Sequence, residues 1–178
     1  RDRNRLSALA AIFAAEVEGE AKFTMDGNEN YRDIGSFREH WEKLMTVPEI
    51  GGFVRDGLIM VEQPLHRDHA LEDGVRKELG AWDDAPPLII DESDGELGSL
   101  PRAFELGYSG TSHKNCKGVM KGIINAALVK KRGGLLSAED LANVGPVALL
   151  QDLAVVSALG ISHVERNGHH YFKGLSMW

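Results

Sequence analysis

The sequence predicts an α/β protein built from parallel βαβ units, and three observations lead there. Short apolar strands alternate with amphipathic helical stretches along all 178 residues. The polar residues closing successive strands are Asp26, Glu62, Asp91, Lys114, Glu139 and Glu165. They recur about every 23 to 36 residues, against about 31 for one unit of a (β/α)8 TIM-type barrel. No GxGxxG or GxxxxGK[ST] follows any strand, which weighs against a doubly wound open sheet. The expectation is a TIM-type barrel, present here as about six βα units. No linker or low-complexity tract divides it, so residues 1–178 read as one structural unit.

The elements follow in order. Ala-rich Leu6 to Val17 is helical, and Lys22 to Met25 is a short strand ending at Asp26. Ile34, Phe37, Trp41 and Leu44 recur at helical spacing. Leu58 to Val61 is a nearly all-apolar strand, as expected where helices cover both faces. Ala70, Leu71, Val75 and Leu79 mark a helix, Pro87 to Ile90 a strand, and Pro101 the first turn of a short helix. Phe104 to Lys114 holds a weaker, glycine-interrupted strand. Val119, Ile123, Ala127 and Leu128 form the inward face of the next helix, closed by Lys130-Lys131-Arg132 and Gly133-Gly134. Leu135-Leu136 is a brief strand. Pro146 opens a helix with Leu149, Leu150, Leu153 and Val156 inward, stopped at Gly160, and Ile161 to Val164 is the last strand.

Composition narrows the function. Hydrophobic residues make up 43% and charged residues 26%, the mix of an ordinary globular chain. Twenty Lys and Arg against 27 Asp and Glu give a net charge of -7, which argues against a nucleic-acid partner and a polybasic membrane surface. The single Cys116 rules out an internal disulfide, as in the cytoplasm. No apolar run approaches the ~18 residues of a membrane span. The start at Arg1, already helical, implies a segment upstream.

In a barrel the C-terminal ends of the strands face one mouth. Three consecutive strands here end in carboxylates, Asp26, Glu62 and Asp91, and three hard oxygen donors suit Mg²⁺. The next strand ends in Ser112-His113-Lys114-Asn115-Cys116-Lys117, and a lysine beside a divalent cation loses its proton more readily.

These residues resemble the enolase superfamily, in its mandelate racemase and muconate-lactonizing branch. Phe23-Thr-Met-Asp26-Gly-Asn28 is similar to that branch's third-strand Asp-x-Asn motif. Val61-Glu62-Gln63-Pro64 is similar to its fourth-strand Glu-Gln-Pro, and Ile90-Asp91-Glu92-Ser93 to its fifth-strand Asp-Glu-Ser. The resemblance implies that Asp26, Glu62 and Asp91 ligate Mg²⁺. It implies that Lys114 is the sixth-strand base, with Lys117 in reserve because Lys117-Gly118 replaces the usual Gly-Gly. The chain would then span strands three to eight. The N-terminal capping domain, the first strands and the second-strand Lys-x-Lys have no counterpart before Asp26. Asn28, Glu139, Glu165 and His169 are candidates for substrate contact. The implied chemistry is abstraction of a proton α to the carboxylate of a small hydroxy acid, acid sugar or similar compound. It leads to racemisation, dehydration or cycloisomerisation, in a homo-oligomer.

Duller roles stand beside each assignment. Asp26-Gly27-Asn28 suits an Asx turn, Asp91 a solvated loop, and His113 packing. Cys116 reads as a small buried residue and Ser137-x-x-Asp140 as a helix cap. His169-His170 lacks a third ligand at zinc spacing. The alternative function is a catalytically incomplete barrel fragment that acts only by association with the missing segment, since six units cannot close a barrel.

Overall fold

A computed structural model of the chain describes residues 2–19, 22–139 and 146–165. The described strands are β1 (Phe23–Asp26), β2 (Leu58–Glu62), β3 (Leu88–Ile90), β4 (Gly110–His113) and β5 (Leu135–Ala138). They form one sheet in the order β1-β2-β3-β4-β5. β1 pairs with β2, β3 with β4 and β4 with β5, all in parallel. An order that never reverses is that of a barrel wall; a doubly wound sheet has a switch point. Five strands replace the six expected, and no closed eight-stranded barrel forms among the described residues. The expected strand at Ile161 to Val164 is reduced to one bridge, Glu139 with Glu165, where the Glu165 N–H donates to the Ala138 carbonyl at 2.9 Å.

The chain divides into two compact units, Arg1–Leu88 with Glu105–Tyr108, and Ile89–Phe104 with Ser109–Trp178. The first is built on α1 (Asp2–Glu16), α2 (Ile34–Met45), α3 (Pro48–Gly57), α4 (Arg67–Ala70) and α5 (Asp73–Gly80). Asp33 caps α2 by accepting from the Ser36 N–H at 2.6 Å, and the helix buries Ile34, Phe37 and Trp41 as its spacing predicts. Phe37 meets Trp41 and Trp82 with ring centroids 5.9 and 5.8 Å apart. α3 was not legible in advance. Pro48 opens it, but Gly51 and Gly52 mask its periodicity. The single helix expected around Ala70 to Leu79 is two, because Glu72 adopts an extended conformation (ψ 152°) between α4 and α5.

α6 (Ser99–Leu106) runs past Phe104 until Gly107, at φ 104°, stops it, so the strand expected from Phe104 starts only at Gly110. In the second unit, α7 (Val119–Arg132) ends at Gly133 in the left-handed region (φ 66°), as its sequence signals. Its inward face is not the one the apolar residues mark. Lys121, Gly122, Asn125 and Val129 are buried, while Val119 and Ile123 are 40% and 47% exposed and Ala127 is exposed too. In α8 (Pro146–Leu159), likewise, Asp152 is buried and Leu150 and Leu153 are exposed. Polar contacts described below draw these faces inward. No helix among the described residues is long and apolar enough to cross a membrane.

Gly110 is the tightest backbone approach. A Cβ there would lie 1.8 Å from the Leu135 carbonyl oxygen, so the close pairing of β4 with β5 needs a residue without one. Gly110→Ala is expected to lower stability by about 1–3 kcal/mol in urea unfolding. Gly98→Ala, with nothing within 4 Å, should stay within about 0.5 kcal/mol of the parent. Equal midpoints for the two variants would contradict this packing.

Candidate metal centre

In the first unit, β1 and β2 run in register so that Asp26 sits beside Glu62 at their C-terminal ends. The two following loops are stitched together by backbone bonds. The Gly27 N–H donates to the Glu62 carbonyl and the Glu29 N–H to the Gln63 carbonyl, both at 2.8 Å. The Tyr31 N–H donates to Pro64 at 3.0 Å, and the His66 N–H returns to Tyr31 at 2.7 Å. Gly27 is required there, because a Cβ would meet the Pro64 Cα at 2.5 Å. Asn28, Glu29 and Gln63 hold positive φ values of 45°, 59° and 32°. Three non-glycine residues in that region mark a strained, over-determined turn.

The turn decides what Asp26 does. Its carboxylate accepts from the Asn28 N–H at 2.7 Å and from Asn28 Nδ2 at 2.8 Å, closing an Asx turn on the exposed end of β1. Asn28, expected to touch substrate, is spent on Asp26. Glu62 is buried. Glu29 receives Arg67 bidentately, Nε at 2.8 Å and Nη2 at 2.6 Å, and this hydrogen-bonded guanidinium holds its carboxyl below the usual range.

In the second unit, Asp91 follows β3 directly and is 2% exposed. Both candidate lysines converge on it. Lys114 Nζ lies 2.5 Å from Oδ2, and Lys117 Nζ lies 2.5 Å from Oδ1. Lys117 also donates to the Asp91 carbonyl at 2.7 Å and to the Ser112 carbonyl at 3.1 Å, so its three protons each have an acceptor. Lys114 in turn forms an ion pair with Glu139, which follows β5 and is buried. One oxygen of Asp91 and one of Glu139 therefore lie within 4.8 Å of each other, with an ammonium shared between them. Burial pushes the Lys117 amine below its ordinary value, against the opposing pull of Asp91.

A second buried cluster backs the first. Asp94 accepts from Thr111 Oγ1 at 2.8 Å and Asn125 Nδ2 at 2.9 Å, and pairs with Lys121 at 2.8 Å. This is why α7 turns Lys121 and Asn125 inward. On the same helix, Gly122 leaves room for the His113 ring, which a Cβ would meet at 2.5 Å. His113 thus packs, as expected, and its Nε2 bonds Asn115 Oδ1 at 3.0 Å while Asn115 Nδ2 donates to the buried Asp152 at 2.7 Å. Burial lowers the His113 pKa below 6.5.

The sequence did not signal Asp94, Thr111, Lys121 or Asn125; only the four-residue spacing of Lys121 and Asn125 hinted at a shared face. Cys116, expected to be buried, is exposed because it lies in the 3-10 turn Asn115–Lys117. Glu165 is half-buried beside β5. His169, like Asp140 and His170, lies outside the described residues. Carboxylates are hard donors that fit a hard divalent cation. At Asp91 and Glu139, lysine ammoniums now hold the places a cation would take.

No family model and no curated protein sequence matches the chain. Solved structures do. An L-Ala-D/L-Glu epimerase superposes with a TM-score of 0.64 at 19% identity, over 94% of this chain and 47% of that one. An enolase family member from Agrobacterium tumefaciens with homology to dipeptide epimerases, bound to sodium and L-Ala-L-Glu, gives 0.65 at 20% over 94% and 44%. A dipeptide epimerase from Cytophaga hutchinsonii complexed with Mg and D-Ala-L-Val gives 0.66 at 14% over 97% and 43%. The resemblance carried by the three strand-end motifs is thus met at the level of the fold: the chain has the fold of part of an enolase-superfamily structure. It spans less than half the length of each of these three chains.

His113 makes the second unit sensitive to acid. Its folded pKa lies below 6.5, so as pH falls through 6.5 the unfolded chain takes the proton first and stability is lost. His163, also lowered by burial, acts in the same direction. Urea midpoints between about pH 7.5 and 5 should therefore fall less steeply for His113→Gln than for the parent. Parallel pH profiles would contradict the assignment.

Proposed function

We propose that the chain is part of an enolase-type enzyme that removes a proton α to a substrate carboxylate, and that alone it is catalytically incomplete. The observation that carries this reading is the sharing of the Lys114 ammonium by two buried carboxylates, Asp91 and Glu139, at the ends of β3 and β5. It supplies the parts of a metal and proton-transfer site, but in a closed, self-neutralised state. A parallel sheet of five strands among the described residues, and a span under half that of its structural relatives, support the incomplete reading. The segment that would complete it carries the remaining strands and an opposing base.

In this proposal Glu62 and Asp91 hold a divalent cation, Mg²⁺ by donor chemistry, with either Asp26 or Glu139 as third carboxylate. Asp26 must first release Asn28, whereas Glu139 must first release Lys114. When bound, the cation supplies a Lewis acid for the charge that develops on the substrate carboxylate. Lys114 is the residue that moves the α-proton at Nζ, and Lys117, on the other oxygen of Asp91, keeps that carboxylate in place or substitutes for it. Substrates are small carboxylates, and the location is cytoplasmic, in keeping with the lone Cys116. The relatives with dipeptide ligands make an N-acylated amino acid carboxylate one member of that class to test.

Two measurements test the proposal. Calorimetric titration with Mn²⁺ should show affinity falling about 10- to 100-fold in Glu62→Gln and Asp91→Asn. Whichever of Asp26→Asn and Glu139→Gln shares that loss is the third ligand. Proton NMR of carboxylic acids in D₂O with Mg²⁺ should show no α-proton exchange with the 178-residue chain, and exchange with a longer chain carrying the remaining strands. Exchange by the 178-residue chain itself would overturn the incompleteness, and unchanged Mn²⁺ affinity in both ligand variants would overturn the metal site.

A further inference from the structure

At the turn that carries Asp91 lies a buried ion pair of Asp94 with Lys121. Asp94 is 2% exposed and Lys121 8%. An ion pair so deeply buried is a poor source of stability, since taking both charges out of water costs about what their attraction returns. Its contacts say what else it does. The Asp94 N–H donates to the Asp91 carbonyl at 2.9 Å, closing the turn that follows β3. The Asp94 carboxylate is tied to β4 through Thr111 Oγ1 and to α7 through Asn125 Nδ2. Lys121 binds both the Asp94 carboxylate and the Asp94 carbonyl. The same Asp91 carbonyl that Asp94 holds from one side accepts Lys117 Nζ from the other.

We propose that Asp94 and Lys121 are a positioning pair, which anchors the 91–94 turn to β4 and α7 so that Asp91 presents its carboxylate to Lys114 and Lys117 and, on the metal reading given above, to the cation. The anchor is rigid because the side chains that hold the Asp94 carboxylate, Thr111, Asn125 and Lys121, sit on a strand and a helix, and each buried charge answers the other. Thr111 and Asn125 complete it from the two elements.

The test uses the full chain, labelled with ¹⁵N. Lys117 has three oxygen acceptors, so its ammonium protons are expected to exchange slowly and its side-chain ¹⁵N signal to be visible, assigned by its loss in Lys117→Arg. In the charge-neutral double variant Asp94→Asn/Lys121→Met that signal is expected to vanish through exchange, with Mn²⁺ affinity at least tenfold weaker and the far-ultraviolet circular dichroism unchanged. Thr111→Val, which removes one hydroxyl from Asp94 and keeps both charges, should speed the Lys117 exchange severalfold. It decides the matter if the double variant does not fold. Lys121→Arg, which keeps the charge, should preserve the signal. An unchanged Lys117 signal and exchange rate in the double variant or in Thr111→Val would overturn the proposal. If the parent chain takes up no Mn²⁺, the metal reading fails, while the ammonium signal still decides whether the pair positions Asp91.

Discussion

The sharing of Asp91 by two lysines is the constraint around which the second unit is arranged. A carboxylate this deeply buried cannot stay ionised without partners. Lys114 and Lys117 supply them one oxygen at a time. Each lysine then needs further acceptors, which explains the inward placement of Glu139 and the use of the Ser112 and Asp91 carbonyls. The turn after β3, the end of β4 and the end of β5 are therefore fixed by charge as much as by strand pairing. The buried apolar residues of that unit include Ile89 and Ile90 on β3 and Leu100 and Ala103 on α6, and a low-dielectric interior makes an unpaired charge costly.

Lys114 stands between Asp91 and Glu139 and answers their negative charge. On the proposed reading, a cation would take over the ammonium's place at the same oxygens, and the freed amine would then be available as the base. The first unit contributes differently. There the β1 and β2 loops are locked by four backbone hydrogen bonds and a strained turn, so Asp26 and Glu62 are set by the backbone.

Much of the fold was legible from residue pattern. All-apolar Leu58 to Val61 and Leu88 to Ile90 could be little else than buried strands, and Asp26, Glu62 and Asp91 fall at strand ends where the pattern placed them. The stripe of Ile34, Phe37 and Trp41 gave α2 its inward face. The misplaced faces of α7 and α8 have one cause: apolar residues were expected to face inward wherever they recur at helical spacing. On α7 a buried Asp94, brought close only by tertiary folding, claims Lys121 and Asn125 and turns Val119 and Ile123 outward. On α8, Asn115 does the same through Asp152. Such pairings join residues some 27 to 37 positions apart, and no local spacing encodes them. The Asx turn at Asp26 was foreseen from residue types, yet the link of Glu139 to Asp91 through Lys114 was not, because it depends on where the lysine side chain reaches.

The proposed exchange of ammonium for cation can be tested directly. The decisive measurement is an anomalous difference map from crystals of the chain soaked to saturation in Mn²⁺. The account predicts a peak within about 2.0–2.4 Å of an Asp91 carboxylate oxygen, with Lys114 Nζ withdrawn from Asp91. A saturated crystal with no peak at Asp91, or with a peak there while Lys114 keeps both carboxylates, would contradict it.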